Sequence, residues 1–498
     1  MHHAHEHGKD IIAWDGDQLC VYQLKGGAGR LNTTVVENVQ QQLFAATAAA
    51  VTHPSLPGPR RPDRVYLVTN RTATGPAQDR IRVLSEGNRI NGLGTLHLIE
   101  FAELKSRFVT VERQFFPSSP KALDTFLSLF LADGRGPLLR QDFFRLLEEI
   151  LPVRGPRAKA RDAGRAISAA ALTTAFALRK WSDLDNHAET AMGWVCFATQ
   201  VLRLAERNRL GRARWYRSYR LALEEARRHA RHLLEEASAA EDLIIPDPAE
   251  SIVRGARAVK VCGLLSAFTI SARIEFGVHH THRGQAGRLI LRERDCFEIA
   301  GEVQAPDYFL SILAVSEAGE FNVATEMLLL WVASVSGANQ PDSASPVPDP
   351  YHSVEDIMLD RLRPQGAVLP DEDWAGSAYT VHIGVRWAVR RLWRQTLRTV
   401  WANVTRISHQ HFRPRWRADY YAPESDRGEL ASWFYPTPTS WSDLRALAEE
   451  CDSSTLPDTL VKCPEFVPFY CLALPHRFNV QVSDLLDRLA STGIADAN

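Results

Sequence analysis

"HEHGKDIIAWDGDQLCVYQLKGG", from His5 to Gly27, reads as two short strands joined by a turn. "KDIIAW" (9–14) and "QLCVYQLK" (18–25) are strand-like, and the "DGD" between them is a hairpin signal. Side chains alternate faces along a strand. Gln23 and Lys25 therefore share a face with Val21 and Leu19. Cys20, Tyr22 and Leu24 are expected to point the other way, into the domain. Asp10 on the first strand can join the Gln23 and Lys25 side, so the hairpin gathers a carboxylate, an amide and an ammonium.

That set suits metal-assisted phosphodiester cleavage. Asp10 offers hard oxygen to Mg²⁺ or Mn²⁺, and the Gln23 side-chain oxygen or the adjacent backbone carbonyl offers another ligand. Lys25 can position an attacking water, lower its pKa and offset charge developing on a phosphorane-like transition state. The competing reading is a solvated hairpin with a charged face.

Outward from the hairpin, residues 33–51 carry a helical pattern with Thr33 or Thr34 as N-cap. "VYLVTN" (65–70) is a buried-strand run, a polar helix follows near 75–87, and "TLHLIEF" (95–101) is a further strand leading into the short helix "AELKSRF". The order β-β-α-β-α-β defines an α/β domain over residues 1–115.

With these elements in place, "GKDIIA…VYQLKGG" resembles the core of the PD-(D/E)xK nucleases, in the Mrr-like restriction-endonuclease branch, where Gln-x-Lys replaces Glu-x-Lys. The match spans residues 5–108, including the helix after Gln-x-Lys, the strand ending in a small polar residue and the strand with an acidic ending. The resemblance implies a restriction-endonuclease-like mixed sheet flanked by helices, with Asp10, Gln23 and Lys25 as the catalytic core. In that family a helix precedes the Asp strand and often supplies an acidic metal ligand. Nine residues precede Asp10 here, so either Glu6 substitutes as a ligand or the chain starts late. "KGGAGR" lacks Walker spacing and reads as a strand-to-helix turn that can approach a DNA backbone, and Gln41 reads as a surface residue.

The chain has 498 residues, length for about two to four domains. It is 45% hydrophobic, with 58 basic and 59 acidic residues, so any surface for nucleic acid must be local. Seven scattered cysteines without a C-x-x-C pair point to reduced thiols rather than a disulfide framework or zinc site. The polar, His-rich first ten residues show no signal-peptide core, and the most apolar run, near Val323–Ser336, is read as too short and broken to span a bilayer. These features describe a soluble, cytoplasmic protein without membrane association.

After residue 120 helical periodicity dominates, giving expected regions 120–338 and 354–498, either separated by "NQPDSASPVPDPYHS" or continuous across it. A basic linker is expected at 153–164, a small β insertion at 288–303, one long helix over 379–408 and several shorter helices to the end. Two stretches can carry nucleic acid. Residues 203–231 hold ten arginines against three glutamates with Trp215, Tyr216 and Tyr219 interleaved, making Arg212, Arg214, Arg217 and Arg220 candidate phosphate contacts. The alternative is a solvated helix face paired with carboxylates such as Glu224 and Glu225. In "VRWAVRRLWRQTLRTVW" (385–401) an apolar stripe accompanies an arginine row that includes Arg390 and Arg394. The histidines of "FGVHHTHRGQ" and "HQHFRPRWR" read as loop and strand residues, with no cysteine or carboxylate near His409 and His411.

The sequence thus predicts a Mg²⁺- or Mn²⁺-dependent nuclease acting on DNA, expectedly double-stranded, followed by a helical region that senses, oligomerises or targets, as in bacterial restriction and phage-defence effectors. A homo-oligomer and a sensor or effector protein partner fit that reading. The alternatives are an RNA-directed nuclease and a catalytically inactive nucleic-acid- or protein-binding module.

Overall fold

A computed structural model describes residues 10–27, 29–51, 58–104, 106–107, 119–151, 160–240, 251–362, 374–424, 428–450 and 454–491. The chain divides into two compact units, Met1–Gln114 and Phe115–Asn498, so regions 120–338 and 354–498 are continuous.

In the N-terminal unit β1 (Ile11–Asp15) and β2 (Gln18–Leu24) form the hairpin, with Gly16 at φ 61° in the tight turn. That left-handed backbone favours glycine. α1 (Thr33–Ala48), β3 (Arg64–Val68), α2 (Gly75–Ile90) and β4 (Thr95–Ile99) follow. The N-cap of α1 is Asn32, one residue before the expected threonines: its Oδ1 accepts from the Val35 N–H at 3.0 Å. The sheet order is β1-β2-β3-β4, with β1 antiparallel to β2 and the other pairs parallel. Two successive right-handed crossovers in one direction carry both helices to the same face. Accordingly, Val36, Val39 and Leu43 of α1 and Ala77 and Ile81 of α2 share one core with Leu19, Val21, Val65, Leu67 and Leu96.

This core corrects the face assignment of the hairpin. Leu19, Val21 and Gln23 point toward the helices and are almost fully buried, whereas Leu24 is exposed. Tyr22, Tyr66 and His97 occupy the other face as a cross-strand ladder, with ring centroids 4.8 and 5.2 Å apart. The alternation was read correctly but its polarity was inverted, because Tyr22 and Leu24 are more apolar than Gln23.

The second unit is mainly helical. Its central element, α3 (His187–Asn208), is buried along most of its length and packs with α4 (Tyr216–Ala239), while α5 (Ser251–Phe276) packs with α4 and with α6 (Ala305–Glu317). Helix Phe321–Ala338 is long and apolar enough to cross a membrane, which corrects the expectation of a shorter run; its Met327, Leu328, Trp331 and Val335 belong to the unit's own core.

Three expectations fail here. Residues 285–293 are helical and 294–296 form a 3₁₀ turn, so no β insertion lies at 288–303. Ala160–Ala177 is a helix, so the residues 160–164 assigned to a linker are structured, while 152–159 lie outside the described residues. The long helix is two, α7 (Val381–Arg390) and α8 (Arg394–Val404). Leu392 sits at φ 59° and the Trp393 N–H reaches back to the Ala388 carbonyl at 2.9 Å, a helix-ending turn usually held by glycine. A three-stranded sheet that the sequence reading missed, of order β5-β6-β7, takes β5 (Ser377–Ala378) from before this break and β6 (Ser408–Arg413) and β7 (Glu429–Trp433) from after it.

Candidate active site

β2, β3 and β4 run parallel, so their carboxyl ends line one edge of the N-terminal sheet, the edge where open α/β sheets place ligands. β1 runs the opposite way and brings Asp10, just ahead of its first residue, to that same edge. The Ile11–Tyr22 register sets Asp10 across from Gln23.

The pairing is direct. Gln23 Nε2 donates to Asp10 Oδ2 at 2.7 Å, and the Leu24 N–H donates to the same oxygen at 2.6 Å. The Asp10 N–H closes the ladder onto the Tyr22 carbonyl at 3.1 Å. Gln23 is only 3% exposed, and its Oε1 is buried without a hydrogen-bond partner. A buried amide oxygen left unpaired costs about 1–3 kcal/mol, so a glutamine is an expensive occupant of this position.

Lys25 lies two residues beyond Gln23, where its N–H bonds the Val68 carbonyl at 2.9 Å. The Thr69 hydroxyl donates to the Lys25 carbonyl at 2.8 Å, and Asn70 Oδ1 accepts from the Gly27 N–H at 3.0 Å. Glu100, just past β4, is spent on the neighbouring loop, accepting from the Ala73 N–H at 2.9 Å. The structure therefore brings Asp10 and Gln23 into contact and fixes the backbone of Lys25 at the same strand ends. Glu6 lies outside the described residues. Thr69 and Asn70, whose roles the sequence reading did not assign, are the polar ending of "VYLVTN"; a polar pair closing an apolar parallel strand was the available signal.

The electrostatics around this edge are shaped by burial. It raises the Tyr22 hydroxyl and the Cys20 thiol above their usual values and lowers the His97 imidazole, where Arg64 adds to the effect. Both shifts favour the neutral forms of Tyr22 and His97 in the stacked ladder.

The arginine candidates separate. Arg212, Arg214 and Arg217 are exposed, with the Arg212 guanidinium 3.8 Å from the Tyr216 ring centroid. Arg220 is instead held by Glu275 at 2.7 Å and Glu224 at 3.5 Å. Arg390 is held by Asp484 at 2.5 Å and Asp487 at 3.4 Å, beside Arg386, which binds Asp484 at 2.8 Å. These two are internal ties, a correction to their assignment as nucleic-acid contacts. Arg394 begins a separate helix and stands 6.0 Å from the Trp441 ring centroid.

Sequence reasoning also missed a neighbour for the histidine pair of β6. His382 of α7 lies 6.1 Å from His409 and 6.3 Å from His411 between ring centroids. Burial lowers all three, His409 to about 4, so the rings are neutral. Among the described residues no three His, Cys, Asp or Glu side chains are placed to hold a metal ion. Cys20, Cys196, Cys262, Cys463 and Cys471 are buried free thiols. No known protein family, curated protein or solved structure matches the chain.

Proposed function

We propose that the N-terminal unit is a divalent-cation-dependent endodeoxyribonuclease of the PD-(D/E)xK type, in the Mrr-like branch, acting on double-stranded DNA. The observation that carries the reading is the buried, unpartnered Gln23 Oε1 on a side chain whose Nε2 is tied to Asp10 at 2.7 Å. Asp10 and Gln23 together offer two hard oxygen donors at the carboxyl edge of a parallel sheet, a donor set that fits Mg²⁺ or Mn²⁺.

Asp10 and Gln23 would hold the cation; when bound it supplies Lewis acidity and lowers the pKa of its water. The hydrogen bonds to Asp10 Oδ2 from Gln23 and Leu24 fix the carboxylate's orientation before substrate arrives. Lys25, anchored through its backbone to Val68 and Thr69, presents its ammonium to the attacking water and to the charge that develops on phosphorus. The helical unit would gate or target this cleavage, as expected of a bacterial restriction or anti-phage effector in the cytoplasm, with a second copy or a sensor protein as partner.

Plasmid cleavage with Mg²⁺ and with Mn²⁺ tests the proposal. Wild type should nick or linearise the plasmid, and Asp10→Ala and Lys25→Ala should each lower the rate about 10²-fold or more, by analogy with loss of an electrostatic stabiliser. Equal cutting by all three proteins, or none by wild type, would sink the assignment and leave a binding module. A parallel reaction on RNA decides the polymer.

A further inference from the structure

We infer that Arg71 is a second substrate-binding cation of this site, closing as a fork on the phosphodiester beside the one attacked; this rests on the nuclease reading above. Arg71 follows β3 at the edge that carries Lys25. One buried hydroxyl sets the two cations together: Thr69 Oγ1 donates to the Lys25 carbonyl at 2.8 Å and accepts from the Arg71 N–H at 3.2 Å.

The place of the guanidinium is reserved by the turn after β2. Arg71 Nη2 donates to the Gly26 carbonyl at 3.2 Å. A Cβ on Gly27 would fall 1.4 Å from Nη2, so the guanidinium occupies the volume that any other residue at 27 would fill with its side chain. Asn70 holds that turn against the strand end through the Gly27 N–H. Gly26 and Gly27 thus form a seat for an arginine.

The donors of this arginine are largely unspent. Its Nε is buried without a hydrogen-bond partner, and among the described residues neither Arg71 nor Lys25 pairs with a carboxylate. A planar guanidinium with donors to spare, seated at the strand ends that also carry Lys25, Asp10 and Gln23, matches the two non-bridging oxygens of a phosphodiester. Free phosphate shares the chemistry, but a duplex offers adjacent phosphates to Lys25 and Arg71 together.

The test uses the full chain and a labelled DNA duplex, with binding measured in Ca²⁺ across a salt series and cutting measured in Mg²⁺. Arg71→Ala should weaken binding about tenfold and lower the slope of log affinity against log salt by about one. Arg71→Lys should keep the slope and still cut more slowly, because the fork is lost. Gly27→Ala should displace the guanidinium and mimic Arg71→Ala, and adding it to Arg71→Ala should cost nothing further, whereas simple turn strain would add. Inorganic phosphate at millimolar concentration should compete no better than its ionic strength predicts. Unchanged binding, slope and cutting in folded Arg71→Ala would overturn the assignment while leaving the nuclease reading intact. If wild type binds the duplex without cutting it, the nuclease reading falls, and the salt slope alone then decides Arg71.

Discussion

The interior of the helical unit and the carboxyl edge of the N-terminal sheet use their cations in opposite ways. In the helical unit the arginines close onto carboxylates inside the fold: Arg203 with Glu148 and Glu424, Arg227 with Glu275, and Arg386 and Arg390 with Asp484. At the edge of the N-terminal sheet, the Lys25 carbonyl accepts from the Thr69 hydroxyl and the Arg71 guanidinium donates to the Gly26 carbonyl, and among the described residues neither side chain pairs with a carboxylate. Buried opposite charges offset each other's desolvation and define a packed interior, whereas cations without a carboxylate at a sheet edge leave a local positive potential. The named arginines of the helical unit are thereby tied into its interior, and on the proposed function Lys25 and Arg71 are kept for substrate.

The largest effect that can break this contrast is in the helical unit. Asp484 is 1% exposed and compensates two guanidiniums. Asp484→Ala should cost about 3–5 kcal/mol by leaving them uncompensated. Lys25→Ala and Arg71→Ala should each stay within about 0.5 kcal/mol, as open-edge substitutions do. Urea unfolding followed by tryptophan fluorescence separates the two, because eleven of the twelve tryptophans lie beyond residue 115. A comparable loss from Arg71→Ala would make that residue structural.

Acid should distinguish the units next. His409 is buried and its Nε2–H donates to the Val404 carbonyl at 3.0 Å, while burial depresses its pKa to about 4. In the unfolded chain a histidine titrates near 6.5, so the unfolded state binds more protons between those values. The stabilisation from a neutral His409 is complete above the unfolded value and is lost as pH falls toward 4. Between pH 7 and pH 5 the helical unit should lose about 2 kcal/mol from this residue alone. His382, pushed well below the usual histidine value by burial and by its neighbours His409 and His411, adds to the loss. His409→Gln should flatten the pH dependence of the urea midpoint, and an unchanged slope would show that His409 is not what acid titrates.

The N-terminal unit was the more legible of the two because its signals are local. Alternation, a DGD turn and β-α-β spacing gave every strand and both crossover helices of the sheet, and placed Asp10, Gln23 and Lys25 at one end. The polarity of the hairpin was hidden, since which face meets the helices depends on two right-handed crossovers and not on the hairpin itself. Arg71 was hidden too, because only the parallel pairing of β2 and β3 sets it against Gly26 and Gly27. In the helical unit, runs of helix were readable while their ends were not. Leu392 takes a backbone that glycine normally signals, and β6 and β7 are polar strands with Arg413 and Glu429 facing across the pair. His382 joins His409 and His411 through that same break, beyond the reach of any spacing rule.

Gln23 sharpens the comparison from the other side. A core position filled for stability alone would carry a leucine, since Leu67 and Leu98 occupy the same row of the sheet. Gln23→Leu removes the unpartnered buried oxygen, worth about 1–3 kcal/mol, and loses one hydrogen bond to Asp10, worth roughly 1 kcal/mol. Net stability should change by no more than about 1 kcal/mol, in either direction, while metal-dependent cutting is lost. Large destabilisation with cutting retained would mean that Gln23 is there to tie the hairpin.

The smallest effect concerns the helical unit's own exposed arginines, the exception to its rule. Arg212, Arg214 and Arg217 cluster at the start of α4, and among them only Arg212 has a described contact, its stacking on Tyr216. Replacing all three with glutamine should alter stability by about 1 kcal/mol at most, because exposed guanidiniums contribute little and a surface cation–π contact is worth roughly 0.5–1 kcal/mol. If this patch tracks a DNA backbone, the triple variant should lower the salt slope of duplex binding by up to about three, roughly one for each phosphate neutralised. If the slope is unchanged, the helical unit's arginines are structural or solvated throughout, and DNA contact rests with the N-terminal sheet edge. The reverse result would relocate recognition to α4 and leave Lys25 and Arg71 the narrower task of meeting the phosphates nearest the cut.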